Sequence, residues 1–85
     1  MSTFTAQILT PEGSLFEGEV TGVKMPGSLG SFEVKAHHAP IVSTLDEGTV
    51  LVRKADGDAS YNISGGFVEV NNNKLTLLAE SVAKV

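Results

Sequence analysis

Apolar residues in this chain recur at every second position, in short runs separated by turn-forming clusters. Phe4, Ala6 and Ile8 alternate with Thr5 and Gln7, and Val50 and Val52 with Thr49, Leu51 and Arg53. Val68 and Val70 flank Glu69, and Leu75, Leu77 and Ala79 alternate with Thr76, Leu78 and Glu80. A period of two puts alternate side chains on opposite faces of a pleated strand and is incompatible with a helical stripe. Pro11-Glu12-Gly13, Pro26-Gly27-Ser28, Asp46-Glu47-Gly48, Asp56-Gly57-Asp58, Gly65-Gly66 and Asn71-Asn72-Asn73 punctuate the runs. The chain has 85 residues, room for one domain with one modest core. Many short strands in one small domain must cover each other's apolar faces. The expected fold is all-β: about ten short antiparallel strands in a two-sheet sandwich or flattened barrel, residues 1–85. The expected core includes Phe4, Ile8, Val50, Val52, Tyr61, Ile63, Val68, Val70, Leu75 and Leu77.

Composition removes several classes of function. Hydrophobic residues make up 41% of the chain, too many for a disordered segment. No run approaches the ~18 consecutive apolar residues of a membrane span, so no direct membrane insertion is expected. The start, "MSTFTAQILTPEG", has neither a basic head nor an apolar signal core. Cysteine is absent, which excludes disulfides, thiolate ligands and a cysteine nucleophile. The formal charge is −4, and no basic patch offers a footing for nucleic acid.

The residues that suggest chemistry do not assemble a reaction. His37 and His38 are the only histidines. Adjacent strand residues point to opposite faces, so the two cannot readily chelate one ion, and a catalytic zinc needs a third ligand. No serine lies in a nucleophile elbow. Glu17 and Glu19 share one face of a strand, where two carboxylates suit a solvated edge that resists aggregation. The glycines of "PGSLG" lack a phosphate-loop spacing. From the residues alone the chain is a small all-β binding or structural domain, with no catalytic residue, metal or cofactor expected.

Two resemblances bear on this. "VKMPGSLG" looks like the opening of a lipoyl or biotinyl carrier domain, in which a lysine at a hairpin tip is modified; the nearest candidate is Lys54 in "VRKADGDA". A longer series resembles the N-terminal β-sandwich domain of the epsilon subunit of F-type ATP synthases, called delta in mitochondria. It comprises "TPEGSLFEGEV", "PGSLGSFEV", "HAPIVSTL", "GTVLVR", "YNISGGFVEV" and "KLTLLAE", in order and over almost the whole chain. Two positions depart from the family pattern: Glu33 replaces a usual glycine and Ala36 a usual proline, so this segment is expected to bend differently. Many members continue into a C-terminal helical hairpin, whereas this sequence ends at Val85.

That resemblance implies a non-catalytic rotor subunit, binding the gamma subunit of the central stalk and the polar loops of the c-subunit ring. It would couple proton-driven rotation to ATP synthesis, peripheral on the cytoplasmic face of the bacterial inner membrane or the equivalent organelle membrane, and monomeric when isolated. By motif match the gamma-facing residues are Thr10, His38, Ser43, Ser64, Glu69 and Thr76. Phe67 and Leu78 join them because their phase points them away from the core. For Val42 the phase is ambiguous, because Ile41 and Leu45 compete for the core side. The ring-facing loop is Pro26, Gly27, Ser28, Leu29, Gly30 and Ser31, with Leu29 offered at its apex.

Overall fold

A computed structural model describes residues 2–85. They form ten strands: β1 (Phe4–Thr10), β2 (Gly13–Val20), β3 (Gly22–Met25), β4 (Phe32–Lys35), β5 (Ile41–Leu45), β6 (Gly48–Lys54), β7 (Gly57–Ile63), β8 (Gly66–Asn71), β9 (Lys74–Ala79) and β10 (Val82–Lys84). No helix occurs among the described residues. Two five-stranded sheets pack face to face. The front sheet has the order β2-β1-β9-β8-β5 and the back sheet β10-β7-β6-β3-β4. The expected all-β sandwich is the observed one, with one correction. β1 and β9 run parallel, Ala6 opposite Leu75 and Ile8 opposite Leu77, while every other pair is antiparallel. The amino-terminal strand thus lies beside one near the other end of the chain, a pairing with no local signal.

Alternation places the core between the sheets. All ten residues expected there are buried, none more than 5% exposed. Ala6 and Ala79 join them. Val20, Val23, Met25, Val34 and Leu45 complete the core. Their alternation is hard to see in the sequence, because β3 and β4 have four residues each and too few repeats to stand out. No buried polar side chain lacks a hydrogen-bond partner among the described residues, so the core carries no desolvation penalty to offset.

Two local devices shape one end of the sandwich. At Gly65-Gly66 the chain leaves the back sheet and enters the front one, and Gly65 takes a φ of 122°, open mainly to glycine. Gly66 is needed for a different reason: a Cβ there would collide with the carbonyl oxygen of Leu78. Gly66→Ala is therefore expected to destabilise the fold by about 2–3 kcal/mol, because β8 must move away from β9. A urea denaturation curve with an unchanged midpoint would contradict this. The second device is a β-bulge in the β1–β2 hairpin. Ile8 pairs with Phe16 and Leu9 with Ser14, so Leu15 is the extra residue. A bulge re-aims side chains, and Leu15 stands 51% exposed.

Candidate interaction surfaces

The outer faces of the two sheets differ in chemistry. On the back sheet, Glu33 accepts a hydrogen bond from Arg53 Nε at 2.7 Å, with Lys35 Nζ 3.7 Å away, and Arg53 Nη1 approaches Asp58 at 3.5 Å. These residues cross β4, β6 and β7, over Gly22 of β3. A Cβ on Gly22 would come within 2.7 Å of the Glu33 carboxylate, so the glycine makes room for the pair. Glu33 lies inside a regular strand. The hydrogen bond from Arg53, aided by the charges of Arg53 and Lys35, holds its carboxyl below the ordinary carboxylate range. A pKa depressed on folding stabilises the protein above the unfolded-state value, and that contribution is lost as pH falls through the folded value. Acidification below the ordinary carboxylate range should thus lower stability through Glu33 by no more than about 1 kcal/mol, since the partners are partly exposed. Glu33→Gln should flatten that part of the stability–pH curve; an unchanged curve would remove the pair from the account.

The front sheet carries apolar side chains outward instead. Phe67 stands opposite Leu78, and Leu78 opposite Leu9, in one row across β8, β9 and β1. The next row runs Val42, Glu69, Thr76 and Gln7. Val42 is 64% exposed, Leu78 45% and Phe67 38%. The structure therefore brings together Phe67, Glu69, Thr76 and Leu78, and adds Val42, whose phase the sequence left open. Leu45 is buried and Ile41 half-buried, which turns Val42 outward.

The remaining motif residues lie around this face rather than on it. Thr10 caps the β1–β2 turn: its hydroxyl accepts from the Glu12 N–H at 3.2 Å and donates to the Gly13 carbonyl at 3.3 Å. Ser64 lies in the β7–β8 crossover, its N–H on the Ser81 carbonyl. Both sit at the end near Gly66. His38 sits at the opposite end of the face, before β5, exposed, with Nδ1 2.8 Å from the Ala39 carbonyl oxygen. Ser43 stands on the core-facing side of β5, opposite buried Val68, and its hydroxyl donates to the Thr44 carbonyl. It does not share the outer face with the others. Motif match named it without regard to strand phase, and the pairing with β8 turns it inward.

The histidines are not in a strand, so the geometry assumed for them is corrected. His37 adopts a φ of 63° in the β4–β5 turn, where its N–H donates to Asn73 Oδ1 at 2.8 Å. Asn73 also donates to the Thr3 carbonyl at 3.1 Å, tying three segments together. No three His, Asp or Glu side chains converge to hold a metal among the described residues. Lys54 is half-buried, with Nζ 5.7 Å from the centre of the Phe16 ring, and Ala55-Asp56 form the hairpin tip. A carrier domain needs its lysine free at that tip, so the carrier alternative loses its attachment point.

The loop between β3 and β4, Pro26–Ser31, is fastened at its base and bare at its apex. Ser28 N–H donates to the Thr44 carbonyl, and Asp46 N–H to that of Pro26. Thr44 Oγ1 donates to Ser28 Oγ, which donates to Asp46 Oδ1. Gly27 is buried, and a Cβ there would meet the Gly30 carbonyl at 2.6 Å and the Phe32 ring at 2.7 Å. Gly30 has a φ of 128°. Leu29 projects fully exposed, touching nothing that would cover it.

The family model for the ATP synthase Delta/Epsilon chain, beta-sandwich domain, matches residues 3–85. The ATP synthase epsilon chain of Caulobacter vibrioides is 42% identical over 80 residues, 94% of this chain and 93% of that one. Among solved structures, a chain of the Euglena gracilis mitochondrial ATP synthase (OSCP/F1/c-ring) superposes with a TM-score of 0.92 at 21% identity, covering 99% of this chain and 54% of that one. A chain of the Tetrahymena thermophila mitochondrial ATP synthase central stalk/c-ring gives a TM-score of 0.80 at 15% identity, covering 93% and 64%. At those identities the structural likeness speaks for the fold. The sequence likeness, over nearly the full length of the bacterial relative, speaks for the family: the chain belongs to the ATP synthase Delta/Epsilon chain, beta-sandwich domain family.

Proposed function

We propose that this domain is a non-catalytic part of the central stalk of a proton-translocating F-type ATP synthase. Its front face docks on the gamma subunit, and its Pro26–Ser31 loop rests on the polar loops of the c ring. It is held at the cytoplasmic face of the membrane, or the equivalent organelle face, through these partners. The observation that carries the reading is the contrast between the outer faces. The back sheet spends its surface on an internal ion-pair ladder, while the front sheet exposes Val42, Phe67 and Leu78 together. Clustered apolar side chains on one face of a small domain mark a contact surface. The kinship with an ATP synthase epsilon chain, and the fold shared with a chain of a central stalk/c-ring assembly, support the choice of partners.

The mechanism is mechanical. A torque element must transmit displacement without yielding, and a close-packed two-sheet body is stiff. Here the loop is tied through Ser28 to Thr44 and Asp46, at the end of the front-sheet strand β5. A push on the loop is thereby delivered to the sheet that carries the gamma-facing surface. Isothermal titration of the domain with a cognate gamma subunit tests the reading. A saturable one-to-one complex is the expected result; absence of binding at micromolar concentrations, with the domain folded, would overturn it.

A further inference from the structure

Two hollows lie side by side at the end of the sandwich that also carries the β3–β4 loop. The first, about 400 Å³, is floored by Leu9, Leu78, Gly66 and Ala79. The second, about 450 Å³, is lined by Leu15, Val82 and Glu12. Thr10, Pro11 and Glu80 border both, so the hollows are two lobes of one groove that leaves the front face and wraps around the end of the domain. The second lobe presents more polar than apolar surface, and its apolar side depends on the bulge. Leu15 is its unpaired residue, turned out to solvent at 51% exposure.

The charge lining this groove has one sign, although Lys84 of β10 stands two residues from Val82. Glu12 and Glu80 line it, no cationic side chain lines either lobe, and Asp46 and Glu47 occupy the neighbouring turn at the same end. Lys35, Arg53, Lys54 and Lys74 all lie toward the opposite end: Gly22 pairs with Lys35 and with Arg53 there, and Lys74 follows the Asn71–Asn73 turn. Carboxylates scattered along the sequence are gathered by the fold beside an apolar floor. Such a surface repels anionic lipid and a second copy of itself, and it attracts a cationic partner.

We propose that this two-lobed groove receives an amphipathic segment of the stalk partner. That segment places one apolar side chain in each lobe and a lysine or arginine between them, against Glu80 and Glu12. The inference rests on the stalk reading above and extends it beyond the flat face, by assigning the partner's anchoring chemistry: apolar–basic–apolar. Apolar anchors in pockets hold a complex together, and rim charges of opposite sign speed its formation.

The test compares variants of the full chain for binding to the cognate gamma subunit. Leu15→Ser empties one lobe without touching the flat face and should weaken binding about tenfold. Glu12→Lys with Glu80→Lys should weaken it about tenfold at low salt and remove most of its salt dependence. Both glutamates are exposed, so this pair keeps the test valid if Leu15→Ser perturbs the hairpin. Lys24→Glu, on the outer face of the back sheet and away from both the groove and the front face, should stay within about twofold. Val42→Asp reports on the flat face separately. If Val42→Asp abolishes binding while the groove variants bind like wild type, the stalk reading stands and the groove is overturned. If all the variants bind alike, or the unaltered domain does not bind gamma, both readings fall together.

Discussion

Phe67→Asp combined with Leu78→Asp is expected to lower the affinity for a cognate gamma subunit by about a hundredfold or more, with the fold retained. The two side chains stand directly opposite each other on β8 and β9, outside the core, at 38% and 45% exposure. Removing them takes away little core packing. Placing two like charges opposite each other in a sheet costs about 1 kcal/mol, so a small fall in melting temperature is expected. In a complex the same carboxylates would be desolvated without partners, a much larger cost. Titration calorimetry and a thermal melt on one preparation separate the effects. Affinity within a few-fold of wild type, or loss of the fold together with binding, would remove the front face from the interface. Ser43 is a poorer probe, because it lies on the core side of β5.

Leu29→Asp carries the second large effect, in the assembled synthase rather than in solution. The loop is braced by Ser28, Thr44 and Asp46, and Leu29 reaches past that bracing without contributing to it. The substitution should leave the melting temperature, gamma binding and ATP hydrolysis by the detached head unchanged. An apolar apex exchanged for a charge beside Asp46 should impair contact with the ring. Proton-driven ATP synthesis in reconstituted vesicles should fall about tenfold, the size of effect that removal of one well-placed contact produces. Unchanged synthesis would reduce the loop to a turn joining β3 and β4. Gly27 is not a suitable probe, because its Cβ would strike the Phe32 ring and the Gly30 carbonyl and so deform the loop itself.

The sheets were legible in the sequence where runs are long enough for alternation to repeat. β1, β6, β8 and β9 show their core residues by phase alone. Short strands defeat that reading. In β5, Ile41, Val42 and Leu45 cannot all face the core, and only pairing with β8 decides that Val42 faces out and Ser43 in. A bulge defeats it differently, since one extra residue reverses parity at Leu15 with no mark in composition. Long-range pairing has no local signature, which is why the parallel β1–β9 ladder was unforeseen. The histidines show a further limit. The φ of 63° at His37 goes with a hydrogen bond that its N–H donates to Asn73 Oδ1, distant in sequence, and nothing in "AHHAP" announces it.

The same distinction holds for the surfaces. Motif correspondence named Glu69 and Thr76, and strand phase named Phe67 and Leu78; these four meet on one face. Thr10 and Ser64 border it at one end and His38 at the other, so the motif residues outline a surface more than they fill it. The acidic groove could not be read along the chain, because Glu12 and Glu80 meet at one groove only through the pairing of β1 with β9.

Site-directed cross-linking in the assembled synthase tests the central claim most directly, because it asks in one experiment which surface meets which partner. Single cysteines would be placed at Val42 on the front face, at Leu29 on the loop apex and at Lys24 on the outer face of the back sheet; the native chain contains no cysteine, so each label is unambiguous. With a short photoactivatable cross-linker, Val42→Cys is expected to yield an adduct with the gamma subunit, Leu29→Cys an adduct with a c subunit, and Lys24→Cys neither. Adducts with gamma from Lys24→Cys but not from Val42→Cys, or none with the c subunit from Leu29→Cys, would contradict the assignment of the two surfaces.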